Sequence, residues 1–502
     1  MKKTAWLLCL IMCFSAFTSC SSNEGNVSSA ITGNETVSQQ TNASDNKAFS
    51  VPYFSQDSLN PYSATQSANF YLSTLLYDSL VTINNDFTVK NLIAEKIENN
   101  GTECTVTIKD NLKFSDDTPI TDADVVASFN IAKNSTYYSQ RLKNASKCTV
   151  KGGKIIFTLK MADKHFAKNL TFPIIKSGSS KSIAVGSGRY MLSDEDSKKL
   201  VINANNTRKN TKIETISLVD ITKYSSLPSM IKIGSVNFVY GDFTQSINVP
   251  SAKSSSVIRN DLVYLGVNSN NIYLSNKDFR KAVSLCINRD NILTDAYVGA
   301  GRAAASPFNP KAIDLNNGTF KISSYDISAA NELFTICSLI EKDENGFFKG
   351  NEEEAVSLRL LVNKDNSARL RAANSIKISL EKVGIKVNLI EENAENYKTK
   401  IVSGDYDLFI GEVILTADNN ISSLLSQGAL NGCNDEGGTL KSYYSFLANE
   451  ISLDDFLRTF DLNTPFIPLV YKNSKSIYSA SLSGNSECTE YDVFAQMENW
   501  EY

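Results

Sequence analysis

The chain has 502 residues, 42% apolar, 10% aromatic and 21% charged, with 50 basic against 54 acidic side chains and a formal net charge of −4. Charges this evenly balanced give no electrostatic case for a nucleic-acid-binding protein. The single histidine, His165, leaves most zinc-hydrolase patterns without their ligands, a Ser/His/Asp triad would have to rest on that one residue, and no P-loop, G-x-S-x-G or H-E-x-x-H run occurs.

Residues 1–20 open with Lys2 and Lys3 and continue as an apolar stretch from Ala5 to Phe17, broken by Ser15. That stretch is short for a membrane span, which needs about 20 apolar residues, and it reads as a cleavable signal. Phe17-Thr18-Ser19-Cys20 is similar to a bacterial lipobox, which implies cleavage before Cys20 and acylation of that cysteine. Multiple acyl chains would give stable anchoring. An ordinary secretory signal with an incidental cysteine is the alternative. Residues 21–50, rich in Ser, Asn, Thr and Gly, bury too little to offset ordering and are expected to form a flexible tether.

The body, about 450 residues, is long enough for two or three domains. Helical spacing of Phe70, Leu72, Leu75, Leu76 and Leu80 predicts a helix over 69–81. Alternation predicts strands at 105–109 and 154–160. Thr121-Asp122-Ala123-Asp124 reads as an N-cap with first-turn acids, opening a helix through Ser128. His165, beside Lys164, reads as a partly exposed helix residue, and Gly186-Ser187-Gly188 as a turn. Amphipathic helices are expected at 279–292 and 368–383. Gly384 stands at the second helix's C-cap and leads into a strand over 385–390. Buried strands follow at 407–410 and 467–471. Strands alternating with helices give an α/β class, and no fixed-period repeat is visible.

Cys9 and Cys13 leave with the signal. Cys104, Cys148, Cys286, Cys337, Cys433 and Cys488 show no metal-binding spacing and are expected as free, buried thiols. A bridge between Cys104 and Cys148 is the alternative. A catalytic carboxylate pair assembled from distant residues stays open but unfavoured.

Several blocks then match one family in order. They are Leu75-Leu76-Tyr77-Asp78-Ser79-Leu80-Val81, Asn91-Leu92-Ile93-Ala94-Glu95, residues 114–129 (FSDDTPITDADVVASF), and Val185-Gly186-Ser187-Gly188-Arg189-Tyr190. Further on come Tyr264-Leu265-Gly266-Val267-Asn268, residues 279–292 (FRKAVSLCINRDNI), residues 299–310, Tyr325-Asp326, Tyr406-Asp407-Leu408 and Pro465-Phe466-Ile467-Pro468-Leu469. Together they resemble the extracytoplasmic solute-binding proteins of the peptide/nickel ABC-transporter family, family 5. Departures include Ser115 and Asp117 for the common His and Gly, and Arg189 for Pro. Asp124, Arg280 and Arg289 read as helix-end and ion-pairing residues.

The resemblance implies an α/β, two-lobed periplasmic-binding-protein-like fold (type II, cluster C-like) with an extra domain inserted in the first lobe. Lobe I would comprise 51–267 and 473–502, with the insertion at about 70–170, and lobe II 268–472. Hinge strands would lie near 264–268 and 470–474. Ser55, Gln56 and Asp57 would belong to a first-lobe strand facing the cleft. Thr416, Ala417 and Asp418 resemble the segment whose aspartate meets a peptide's α-amine. No catalytic residue, metal or cofactor is implied. Expected partners are a small-molecule ligand, a peptide foremost, the permease subunits of an ABC importer, and the extracytoplasmic face of the cell membrane through the lipid anchor. The protein would be a monomer. A surface lipoprotein using the scaffold as a sensor or for adhesion is the alternative.

Overall fold

The computed structural model describes residues 48–179, 183–209, 212–241, 249, 251–350, 353–426, 438–485 and 487–502. Signal, lipobox Cys20, most of the tether and Cys433 lie outside the described residues. Phe49 and Ser50, read as the end of the tether, instead open the first strand, Phe49–Tyr53, every residue of which is buried. Residues Lys47–Tyr502 form one compact unit.

Strand Phe49–Tyr53 pairs in parallel with Thr215–Asp220, which continues antiparallel to Lys199–Ile202 and then Tyr190–Leu192. Helix Ser67–Leu76 packs its Leu72, Leu75 and Leu76 into the core of this sheet beside Tyr190 and Trp500. The helix is shorter than its apolar spacing suggests because another segment takes its last carbonyls. Gly188 N donates to Leu76 O at 2.9 Å. A side chain on Gly188 would stand 2.2 Å from Leu75 O, and one on Gly186 2.2 Å from Leu76 O. These glycines therefore serve close backbone approach, not the turn expected of them. Arg189, where the family has Pro, is fully buried and ties down the C-terminal segment through Asp492 at 2.8 Å and Phe494 O at 2.8 Å.

A second four-stranded sheet runs Ala94–Asn99, Glu103–Ile108, Lys154–Leu159, Ala145–Lys151. Helix Asp122–Ala132 covers it, opened by a capping box in which Thr121 and Asp124 satisfy each other's backbone donors. Asp124 also accepts from Ser177 N at 2.9 Å. Cys104 and Cys148 each pair with Phe157, from opposite sides of the central strand. Two strand spacings, roughly 10 Å, exceed the roughly 7 Å reach of a disulfide. Both thiols are free, and burial pushes each up to about 12.

The largest sheet has seven strands, in the order Phe238–Gly241, Ile467–Ser479, Ala252–Val267, Leu408–Ile414, Ser357–Asn363, Lys386–Glu392, with Gly301–Ala303 also on Ile467–Ser479. Helix Ser367–Val383 ends at Gly384, φ 112°, as its glycine foretold. The expected helix over 279–292 is instead two, Lys277–Cys286 and Arg289–Tyr297, because Ile287 is extended and Asn288 caps the second by accepting from Asn291 N. Arg280 and Arg289, read as ion-paired, spend their guanidinium donors on backbone carbonyls, of Asn463 and Leu274 in one case and of Pro468 and Ser284 in the other.

Strands Ala252–Val267 and Ile467–Ser479 pair along most of their length and change core as they go. Val257, Ile477 and Tyr478 lie in the apolar clusters around the first sheet, whereas Val263, Leu265, Leu469 and Val470 lie in the cluster under helix Ser367–Val383. The register breaks between Ile258 and Asp261, at the changeover.

Candidate functional site

After strand Leu408–Ile414 the chain turns at Leu415, whose N–H donates to Asn260 O at 2.8 Å, while Asn260 Nδ2 donates to Thr416 O at 2.8 Å. Asn419 adopts φ 56° and donates to Thr416 O at 2.8 Å, closing a tight turn around Asp418. Asn tolerates that left-handed geometry better than most residues. The Asp418 carboxylate is only 4% exposed. Its donors among the described residues are neutral: Thr416 Oγ1, and Asn169 Nδ2 at 2.8 Å. A buried carboxylate needs either a cation or several donors to be stable.

Asn169 belongs to the segment 163–169, which leaves the second four-stranded sheet and docks on the region carrying Asp418. Lys164 N donates to Leu447 O at 3.0 Å, and Lys164 Nζ lies 3.7 Å over the Phe446 ring. His165 Nδ1 and Lys168 Nζ both meet Asp314 Oδ2, at 3.3 and 2.7 Å. Burial pushes the Asp314 carboxyl up, but the His165 and Lys168 contacts outweigh it and hold it at about 2. His165 is thus a largely buried docking residue at the entry to a short 3-10 turn, not the partly exposed helix residue expected.

Asp163, 1% exposed, heads this segment. Burial first, and then the charge of Asp418, push its carboxyl up to about 7, against the backbone N–H of His165, the Asn144 side chain and the charge of Lys168. Tyr443, in helix Thr439–Leu447, feels both carboxylates, which raise its hydroxyl well above its ordinary value along with burial, the largest cause. Sequence reasoning singled out Asp418 but neither Asp163 nor Asn169. The one local signal, the polar run Asp163-Lys164-His165, suggests only a partly exposed helix residue at His165.

Ser55, Gln56 and Asp57 lie elsewhere. Ser55 donates from N and Oγ to Asp220, at 2.9 and 2.7 Å, on the neighbouring strand. Asp57 accepts from Thr65 N at 3.0 Å and Gln66 N at 2.9 Å at the entry to helix Ser67–Leu76. Ser55 and Gln56 are exposed. No hydrogen bond or ion pair joins these residues to the Thr416-Ala417-Asp418 turn among the described residues.

A cavity of about 40 Å³ lies between helix Ser67–Leu76 and the C-terminal segment, lined by Arg141, Arg208 and Tyr491 among others. It has room for ordered water, not for a peptide residue. The Arg141 guanidinium sits over both Tyr138 and Tyr491, at 5.2 and 5.4 Å, and Asp418 contributes to raising the Tyr491 hydroxyl above its ordinary range, after burial and Glu490.

Long strands shared between several cores of a mixed α/β chain are features of a two-lobed solute-binding fold. The solved structure of MppA, a periplasmic murein tripeptide binding protein in its unliganded open form, shares that fold: TM-score 0.72, 15% identity, covering 91% of this chain and 97% of that one. Residues 88–431 match the bacterial extracellular solute-binding proteins, family 5 middle region, and the chain belongs to that family. Similar curated relatives are the oligopeptide-binding protein AppA of Bacillus subtilis (strain 168), 21% identical over 385 residues and 70% of each chain, and the glutathione-binding protein GsiB of Salmonella typhi, 22% identical over 360 residues and 67% of each. No helix among the described residues is long and apolar enough to cross a membrane.

Proposed function

We propose that this solute-binding protein captures a peptide, or another solute bearing an amine, between two lobes and delivers it to the permease subunits of an ABC importer. Asp418 meets the positive charge of that solute. The observation that carries the reading is a carboxylate 4% exposed, bonded by neutral groups, at a face where two parts of the chain close on each other. The relatives AppA, GsiB and MppA are named for oligopeptide, glutathione and murein tripeptide, all of which carry amines. Residues 51–267 and 473–502 would form one lobe, with about 70–170 inserted, and 268–472 the other. The changeover at 258–261 and 472–474 would be the hinge, slightly earlier in the first strand than the family blocks suggest. Closure about such strands buries the ligand and signals occupancy.

Native mass spectrometry of the purified chain identifies any co-purified solute. For that solute, Asp418→Asn should weaken binding by about 2–5 kcal/mol in calorimetry, because a buried cation loses its counter-charge. Unchanged affinity would remove Asp418 from the site.

Cys20, acylated, would hold the body at the extracytoplasmic face of the membrane as a monomer. Cys20→Ala should shift the protein to the soluble fraction or leave an unprocessed precursor. Membrane retention of the fully processed variant would show that something other than lipid holds it.

A further inference from the structure

Asp163, Asn169 and Asp418 are 1%, 2% and 4% exposed. Asp163 Oδ1 accepts from His165 N at 2.9 Å, and the Asn144 side chain lies within reach of the same carboxyl, but among the described residues no well-aligned hydrogen bond reaches Asp163 Oδ2 or Asn169 Oδ1. Among the described residues, the side-chain donors bonded to Asp418 are Thr416 Oγ1 and the Asn169 amide. Buried acceptors left bare are uncommon in native proteins and point to a missing donor.

We infer that Asp163 and Asp418 form a two-carboxylate seat, one carboxylate from each side of the closure, for a primary ammonium group, and that the Asn169 amide occupies this seat when no ligand is bound. A primary ammonium carries three N–H donors and one positive charge, which matches bare acceptors flanked by two acids. A quaternary ammonium has no donor and a carboxylate only repulsion, so neither fits. Asn169 stands as a neutral stand-in: its N–H group donates to Asp418 where the ammonium would, and leaves its own oxygen unbonded. The inference rests on the reading of Asp418 as the amine contact and adds Asp163 as its counterpart.

Burial, and then the neighbouring charge of Asp418, favour a proton on Asp163. The charged and titratable groups facing Asp163 are Lys164 and Lys168 on its own segment, Cys104 on the neighbouring sheet, and Asp418 and Tyr443 across the closure. With Asp163 pushed up to about 7, the empty seat is protonated at pH 6.0. An arriving ammonium replaces that proton, which leaves to solvent, while the ammonium keeps its own three.

The test adds a pool of tri- to pentapeptides with free amino termini to the purified full chain in weak buffer at pH 6.0. An indicator counts protons and native mass spectrometry counts bound peptide. Release of about one proton per bound peptide is expected, fading by pH 8.5. Asp163→Asn should abolish the release and weaken binding at least tenfold, and the N-acetylated pool should bind poorly and release none. The wild-type proton count stands even where the variant fails to fold. Peptide binding without proton release, or equal release by the N-acetylated pool, overturns the seat while leaving peptide capture intact. No binding by either pool overturns both readings.

Discussion

Lys472 Nζ lies 2.7 Å from Glu412 Oε1, a pair that ties strand Ile467–Ser479 to strand Leu408–Ile414 across the strand between them. The same nitrogen is 3.3 Å from Asp261 on that middle strand. Asp261 meets Arg259 at 3.6 Å, Arg259 meets Glu490 at 3.2 Å, and Glu412 meets Arg369 at 2.5 Å. Six charges of alternating sign thus run through the changeover of the two long strands, all largely buried. Burial pushes the Glu412 carboxyl up, but Arg369 and Lys472 outweigh it and hold it at about 2.

Breaking this chain at one link leaves an uncompensated buried charge. Lys472→Met should destabilise the protein by about 3–5 kcal/mol in urea denaturation. Adding Glu412→Gln should recover part of that loss, since the bare acid is then gone. A single-variant loss below about 1 kcal/mol would mean that solvent already screens the chain.

Stability should depend on pH in two opposite limbs. Asp314, held at about 2 against an unfolded value of about 3.9, contributes stability above pH 4 that disappears as pH falls from 4 to 2. Lys168→Met should flatten that acid limb by about 1–2 kcal/mol, allowing for the partial exposure of Asp314. Asp163, raised to about 7, keeps a proton in the folded state that the unfolded chain gives up near pH 4. Stability should therefore fall as pH rises from about 4 to 7, and Asp163→Asn should remove that slope. Melting temperatures of the three proteins across pH 3–8 check both limbs.

Gly188→Ala should be among the most harmful single-methyl changes in the chain. Its Cβ would stand 2.2 Å from Leu75 O and 2.4 Å from Leu76 C, and both neighbours are backbone that no side-chain rotation can move. A loss of about 2–4 kcal/mol is expected by thermal or urea unfolding. A loss within about 0.5 kcal/mol would show that the crossing relaxes freely.

Much of the fold was legible because local patterns report local facts. The Thr121–Asp124 capping box, the helix ending at Gly384 and the alternating strands at 103–108, 154–159 and 386–392 all form near where their residues placed them. The ordered blocks identified the family, because a scaffold constrains many short stretches at once. Asp418 was singled out only through that resemblance. Its neighbour in the bond with Asn169 lies 249 residues away, and the segment carrying Asn169 has no periodicity to betray its partner. The break at Asn288 was hidden because apolar spacing continues across it, although the backbone does not.

Sequence by itself determined the class of fold, the family and the alternation of strand and helix, since hydrophobic spacing and caps act over a few residues. Tertiary structure alone decided what Gly186, Gly188, Arg189, Asp163 and Lys472 do. Each answers to a carbonyl, a charge or a bare acceptor brought close by folding, and those encounters depend on how sheets stack, which no local pattern encodes.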